Sequence, residues 1–271
     1  MAIMSRERRY IGEGPPCDSM PKPLSANTTP ESLDRVLLPV EVSGPVSLQE
    51  TVIEMVRSSK VVLLGYWSIP DQSSADQHRD QFGKEAEKRL QAVGDRLSSH
   101  GIEFQKEVVF TKNRGGLIDD AANKYDCQSV VLPGTEEPSS RPTRGIVLVK
   151  PNADLDRIVT TLSALFADSD VELLLFHAAK NKNKHLYDST EYMLRGLAGQ
   201  LTERGIDSDR IEWEQSIEGE RLEMILSRVP DFDFVVLGES DPSIRARIFG
   251  TVQARLAEET EKTQLTIRTS I

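Results

Sequence analysis

The sequence predicts an α/β protein of two tandem, doubly wound parallel-sheet domains, the first stopping after its fourth strand, and three features of the 271 residues carry that expectation. Short continuous apolar runs alternate with segments of helical periodicity, the pattern of strands covered on both faces by helices. The series of segments occurs twice. Gly101-Ile102 and Gly205-Ile206 lie 104 residues apart, and the Val-Val-Leu runs at Val130 and Val235 lie 105 apart, which points to a tandem repeat. Finally, Phe234 to Gly238 reads as a strand that enters a polar loop, after which Gly250-Thr251 opens a helical segment. A loop between a strand's carboxyl end and a helix amino terminus is where open α/β sheets hold anionic ligands.

Residues 1–30 carry Gly12, Gly14, Pro15, Pro16, Pro21 and Pro23 among Ser, Asn and Thr. So little apolar surface does not offset the entropy of ordering, and a disordered tail is expected. A first domain is expected over 31–141. Its elements are a strand at Arg35–Val40, a helix at Pro45–Ser59 with Leu48, Val52, Ile53 and Val56 on one face, and a strand at Lys60–Trp67. A polar loop from Pro70 to about Asp80 leads to a longer helix with Phe82, Ala86, Leu90, Val93 and Leu97 on a stripe and Gly101 as its stop. Ile102–Phe110 alternates in part and reads as an edge strand; Gly115–Tyr125 is a short helix and Ser129–Gly134 a fourth strand.

A second domain is expected over 142–271. Strands are predicted at Gly145–Val149, Val171–His177, Ile211–Ile217, Phe234–Gly238 and Gln264–Arg268. Helices are predicted at Leu155–Phe166, Tyr192–Arg204 with Gly205 as its stop, Glu220–Val229, and from around Thr251 to Glu259. The stretch Thr135–Gly145 is too short and too rich in proline for a helix plus a strand, so the first domain lacks its last helix and strand.

Composition limits the function. A net charge of -10 and a pI near 5.1 argue against nucleic-acid and membrane partners, because phosphate surfaces need clustered Lys and Arg. Cys17 and Cys127 are far apart, so neither a disulfide framework nor a metal site is indicated and a reducing, cytoplasmic compartment fits. No apolar run approaches the roughly 18 residues that span a bilayer, and Arg6, Glu7, Arg8 and Arg9 have no apolar stretch behind them.

The order strand, helix, strand, long helix, strand, short helix, strand, glycine loop, helix, strand resembles the universal stress protein family over about Leu33 to Arg268. The resemblance implies a Rossmann-like, adenine nucleotide alpha hydrolase-like sheet of five parallel strands in the order 3-2-1-4-5. It also implies that some members hold ATP along the strand ends, with phosphates on a loop of Gly, two residues, Gly, nine residues and Gly-Ser or Gly-Thr. Carried onto this chain, Gly238 is the first glycine, Asp241 replaces the second, and eight residues separate Asp241 from the closing Gly250-Thr251. Asn152, after Pro151, stands where the family has an acidic turn residue. In the first domain Glu41 with Ser43 substitutes for that turn, and Gly134 has no Gly-Ser or Gly-Thr downstream, so its phosphate site is missing.

The resemblance therefore implies a cytoplasmic regulatory or protective protein with a degenerate pocket, no enzymatic activity and no cofactor. The alternative is that the second domain binds ATP or another nucleotide through Asn152, Gly238, Asp241, Gly250 and Thr251, with magnesium offsetting the Asp241 carboxylate. Arg245 and Arg247 offer further positive charge, either to phosphate or to Glu239 and Asp241. The family's fifth strand pairs across a dimer. The single one here is expected either to form a homodimer through the C-terminal strand or to cover the first domain's open edge.

Other candidates favour structural roles. His177 ends a strand where a ligand would lie and reads as packed beneath the loop; His185, with Lys180, Lys182 and Lys184 nearby, reads as part of a solvated loop. Asp119-Asp120 reads as a solvated helix face, and Trp67 and Trp213 as strand residues at the sheet periphery. No Ser-His-Asp order, C-x-x-C, H-E-x-x-H or G-x-x-x-x-G-K spacing occurs, so no catalytic residue and no metal ligand is assigned.

Overall fold

Nine strands form one continuous sheet, and its central strand comes last in the sequence. The computed structural model describes residues 35–135, 141–179, 184–216, 221–238, 255–256 and 259–268. The expected tail lies outside them. The first half comprises β1 (Arg35–Glu41), α1 (Glu50–Val56), β2 (Lys60–Ser68), α2 (Ala75–Ser99), β3 (Phe104–Thr111), α3 (Arg114–Lys124) and β4 (Ser129–Leu132). The second comprises β5 (Arg144–Leu148), α4 (Leu155–Phe166), β6 (Glu172–Ala178), α5 (Lys184–Glu203), β7 (Ile211–Ser216), α6 (Arg221–Arg228), β8 (Phe234–Gly238) and β9 (Thr263–Ile267).

The strand order is β3-β2-β1-β4-β9-β8-β5-β6-β7. Both halves share one order, β3-β2-β1-β4 on one side and β7-β6-β5-β8 on the other. Within each half every pairing is parallel, whereas β4 and β9 pair antiparallel. The strands of the first half therefore run opposite to those of the second, and their carboxyl ends lie at opposite ends of the sheet.

In this arrangement β9 joins the two halves, as one of the two expectations for the last strand has it. β4 would otherwise leave a row of unpaired amides and carbonyls. β9 fills it with the register Ser129 to Ile267 through Leu132 to Gln264, while its other edge pairs Phe234 to Thr263 through Gly238 to Ile267. The last strand thus covers the first half's open edge, and neither of its own edges is left unpaired.

Helices cover both faces. Leu38, Leu63, Val147, Leu175, Val236 and Leu265 pack with α1, α2, α4 and α5. Their alternates in sequence turn to the other face, where Leu37, Val62 and Val130 meet α3 and Ile146, Phe176 and Val235 meet α6. Burial on both faces explains why most strands read as continuous apolar runs. β3 lies at the sheet edge, as its alternation predicts, and so does β7.

The two halves also close alike. Gly101 (φ +74°) and Gly205 (φ +101°) end α2 and α5 in the left-handed region that glycine adopts at little cost. Ile102 N then donates to Leu97 O and Ile206 N to Leu201 O, both at 3.1 Å.

Three helix starts differ from expectation. α2 begins at Ala75 and α5 at Lys184, each several residues before its apolar stripe. Those first turns carry no apolar residues in a sustained helical period, so the sequence pattern does not mark them. α1 begins only at Glu50, because Gln49 stays extended (φ -78°, ψ 153°) with its buried amide bonded to Gly134 O and Thr263 Oγ1.

Candidate functional site

The carboxyl ends of β5, β6 and β8 meet at one rim of the second half. Val149 N donates to Phe176 O (2.9 Å) and Ala179 N to Ser216 O (2.8 Å), which carries the parallel pairing just past the strand ends. The chain then turns through Lys150–Asn152 into α4, whose first turn is capped by Asp154, its carboxylate accepting from Arg157 N at 3.1 Å. Between this turn and α6 lies a cavity of about 100 Å³. Leu148, Phe176, Ile225 and Leu237 give it apolar walls, and Lys150, Asn152, His177 and Arg221 give it polar ones. Among the described residues the lining includes the basic side chains of Lys150 and Arg221 and no carboxylate.

His177 is buried, and its Nδ1 lies 2.8 Å from Val149 O. Burial in the first place, and the Arg221 charge with it, hold its pKa below the ordinary 6.5 against the opposing pull of the Val149 carbonyl. The loop beneath which His177 is expected to pack lies outside the described residues, and His177 lines the cavity. Arg221 is anchored through Nε to Ala178 O at 3.2 Å.

Of the nucleotide-binding residues expected from the sequence, two are described. Asn152 is exposed at the cavity and Gly238 ends β8. A Cβ on Gly238 would lie 2.9 Å from Ile158 Cδ1, so this glycine is required for the close approach of β8 and α4. Asp241, Gly250 and Thr251 lie outside the described residues, as do Glu239, Arg245, Arg247, Lys180 and Lys182. His185 is exposed on the first turn of α5, and its carbonyl accepts from Ser189 Oγ at 2.8 Å.

The corresponding rim of the first half has its own set of contacts. Ser43 Oγ donates to Glu41 Oε1 (3.1 Å), the turn that the sequence suggests. Tyr66 fills the space behind it, with the Arg114 guanidinium 5.3 Å from its ring centre, and burial above all pushes its pKa up to about 12. Gly134, the counterpart of Gly238, has spent both backbone groups: its N–H donates to Thr263 Oγ1 and its carbonyl accepts from Gln49 Nε2, each at 3.2 Å. The Gly134 amide is therefore not available to a phosphate.

Lys150 and Arg221 carry no motif in the sequence; one follows a strand and the other starts a helix, and only the topology brings them together. Asp119 corrects an expectation, being buried on α3 rather than solvated, while Asp120 is exposed. Trp213 sits on the edge strand β7 under Arg195, 5.1 Å from the ring, whereas Trp67 is one strand inward, stacked on Phe82 (4.9 Å) and Phe110 (5.8 Å). Among the described residues no group of three His, Cys, Asp or Glu could hold a metal ion, and no helix is long and apolar enough to cross a membrane.

These features define a Rossmann-like, doubly wound α/β fold with a crevice at the carboxyl ends of one half's strands. The fold is shared with the crystal structure of a universal stress protein from Archaeoglobus fulgidus DSM 4304, at a TM-score of 0.56 and 14% identity over 88% of this chain and 97% of that one. A universal stress protein in complex with cAMP aligns at a TM-score of 0.37 and 20% identity, over 48% of this chain and 100% of that one. A universal stress protein family protein from Arabidopsis thaliana with AMP bound aligns at 0.35 and 19%, over 48% of this chain and 93% of that one. No protein-family model and no curated protein matches the chain.

Proposed function

We propose that this chain is a universal-stress-type regulatory or protective protein of the cytoplasm, built from a duplicated unit, that acts by binding and not by catalysis. The carrying observation is the second-half cavity. At about 100 Å³ it is smaller than the roughly 300–1,000 Å³ of ordinary small-molecule sites, yet it lies at the carboxyl rim and carries Lys150 and Arg221, with no carboxylate among the described residues that line it. In the first half the Arg114 guanidinium lies over the Tyr66 ring and both Gly134 backbone groups are bonded to side chains. Such a pocket suits a small anion better than a triphosphate with its base and sugar. Equilibrium dialysis with ATP and magnesium tests this, with no retained nucleotide expected at millimolar concentration.

Retention of ATP would overturn that reading in favour of a second. In it, the second half binds a nucleotide through Asn152, Gly238, Asp241, Gly250 and Thr251, with a divalent cation at Asp241. The cationic pair next to the end of β8 favours it. Binding of that kind would also raise the melting temperature with ligand concentration, by about 2.7 kcal/mol of stability at a hundred times the dissociation constant.

A further inference from the structure

We propose that the outer edge of β7 is a docking site for an extended peptide segment of alternating basic and apolar residues, which adds to the sheet as a further strand. β7 ends the strand order, and among the described residues only β6 pairs with it. On its inner side Ser216 O accepts from Ala179 N at 2.8 Å. Successive residues of a strand turn their backbone groups to opposite sides in the plane of the sheet. Glu212, Glu214 and Ser216 therefore face β6, and the N–H and C=O of Trp213 and Gln215 point outward. A row of such groups is a template for another strand.

The two faces of this edge differ in chemistry. Trp213 projects toward α5, where the Arg195 guanidinium lies 5.1 Å from its ring centre. Tyr192 stands one turn before Arg195 on α5 and so shares that flank. Among the described residues Tyr192 and Trp213, 75% and 36% exposed, are the exposed large apolar side chains, and both fall here. Exposed aromatic side chains are enriched where proteins meet partners. Glu212 and Glu214 alternate with Trp213 and project to the other face, where Glu214 meets Arg228 of α6 at 2.5 Å. The Glu212 side chain stays 72% exposed, 3.8 Å from Arg144, whose closer partner is Glu172 at 3.2 Å. Arg195 is itself bonded to Glu191 at 2.6 Å. β7 thus carries two carboxylates and neither Lys, Arg nor Pro.

The partner's chemistry follows from those faces. An added strand alternates its own side chains over the same two sides. Its apolar residues lie against Trp213 and Tyr192, and its Lys or Arg residues against Glu212 and Glu214, because opposite charges across a strand pair attract and like charges repel. The same carboxylates argue against a second copy, since β7 paired with β7 would set the glutamates of both strands on one face. β3, the other outer strand, suits this partner less. It presents Lys106, bonded to Gln91 of α2, a device that discourages edge pairing, and it has no exposed large apolar side chain.

The test titrates the full chain with two capped peptides of one composition, the first alternating lysine and valine, the second with the lysines and the valines in separate blocks. The alternating peptide should bind about fivefold or more tightly, since only it matches both faces of the edge at once. It should slow hydrogen exchange at the amides of Trp213 and Gln215 and leave the outward amides of Lys106 and Val108 on β3 unchanged. Glu212→Lys and Trp213→Thr should each weaken that peptide about fivefold or more. Should these variants fail to fold, the exchange pattern of the unsubstituted chain still decides. Equal affinity for the two peptides would mean charge attraction without strand addition, and it would overturn the proposal. So would protection at β3 or at neither edge, no saturable binding, or a dimer in light scattering in which a second copy protects Trp213 and Gln215. Retention of ATP in dialysis would strike at the proposed function alone, because strand addition at β7 does not depend on the cavity.

Discussion

At Gly134 there is no room even for a methyl group, since a Cβ would lie 2.0 Å from Glu261 O and 2.7 Å from the Lys262 carbonyl carbon. Both obstacles are backbone of the approach to β9, so the strand itself would have to move. Gly134→Ala should therefore lose about 2 kcal/mol or more of stability in urea unfolding, whereas Gly44→Ala, with nothing within 4 Å, should stay within about 1 kcal/mol of the parent. Burial governs two titrating side chains in the same way. It pushes the Cys127 thiol up to about 12, so almost no thiolate exists at neutral pH. Iodoacetamide followed by peptide mass spectrometry should modify Cys127 only once the chain is unfolded. His177 is held below its ordinary 6.5, so the unfolded chain takes up its proton first as the pH falls. The stability that the neutral ring contributes is complete above about 6.5 and is lost as the pH drops through the folded value. Unfolding measured between pH 7 and 5 should show this decline in the parent and a smaller one in His177→Phe.

At the scale of elements, β9 holds the fold's two halves together and is itself held by a few polar groups. Thr263 Oγ1 donates to Gln49 Oε1 at 2.8 Å and accepts from Gly134 N, while Arg268 reaches Cys127 O (2.9 Å) and Asn123 Oδ1 (2.6 Å). Thr263→Val keeps the shape and removes the bonds, leaving the buried Gln49 carbonyl and Gly134 amide without this partner. A loss of about 1–3 kcal/mol is expected in chemical denaturation. Most elements are legible in sequence because burial on both faces imposes apolar runs on the strands, and Leu155–Phe166 is found with its predicted limits. The first turns of α2 and α5 are not, because they lack apolar residues in a sustained helical period. The position of β9 is not legible either, since a strand's apolar pattern does not name its neighbours.

For the whole molecule, both edges of β9 are paired within the chain, and the outer strands are β3 and β7. Light scattering at high micromolar concentration should give the monomer mass of about 30.2 kDa. A dimer would mean that β9 is exchanged between chains or that an outer edge is in use. The candidate site divides in the same way between local and global information. Strand ends at Val149, His177 and Leu237 are readable, because apolar runs stop there. Lys150 and Arg221, 71 positions apart, become one cationic lining only when β5, β6 and α6 are brought together. By itself the sequence determined the α/β class, the repeated order of elements and the glycine stops at Gly101 and Gly205, all of which rest on periodicity and local backbone conformation. Only the tertiary structure decided that two halves form one sheet, that Gly134 bonds Thr263 of β9, and that Lys150 and Arg221 line one crevice, because each depends on which distant segments share an edge.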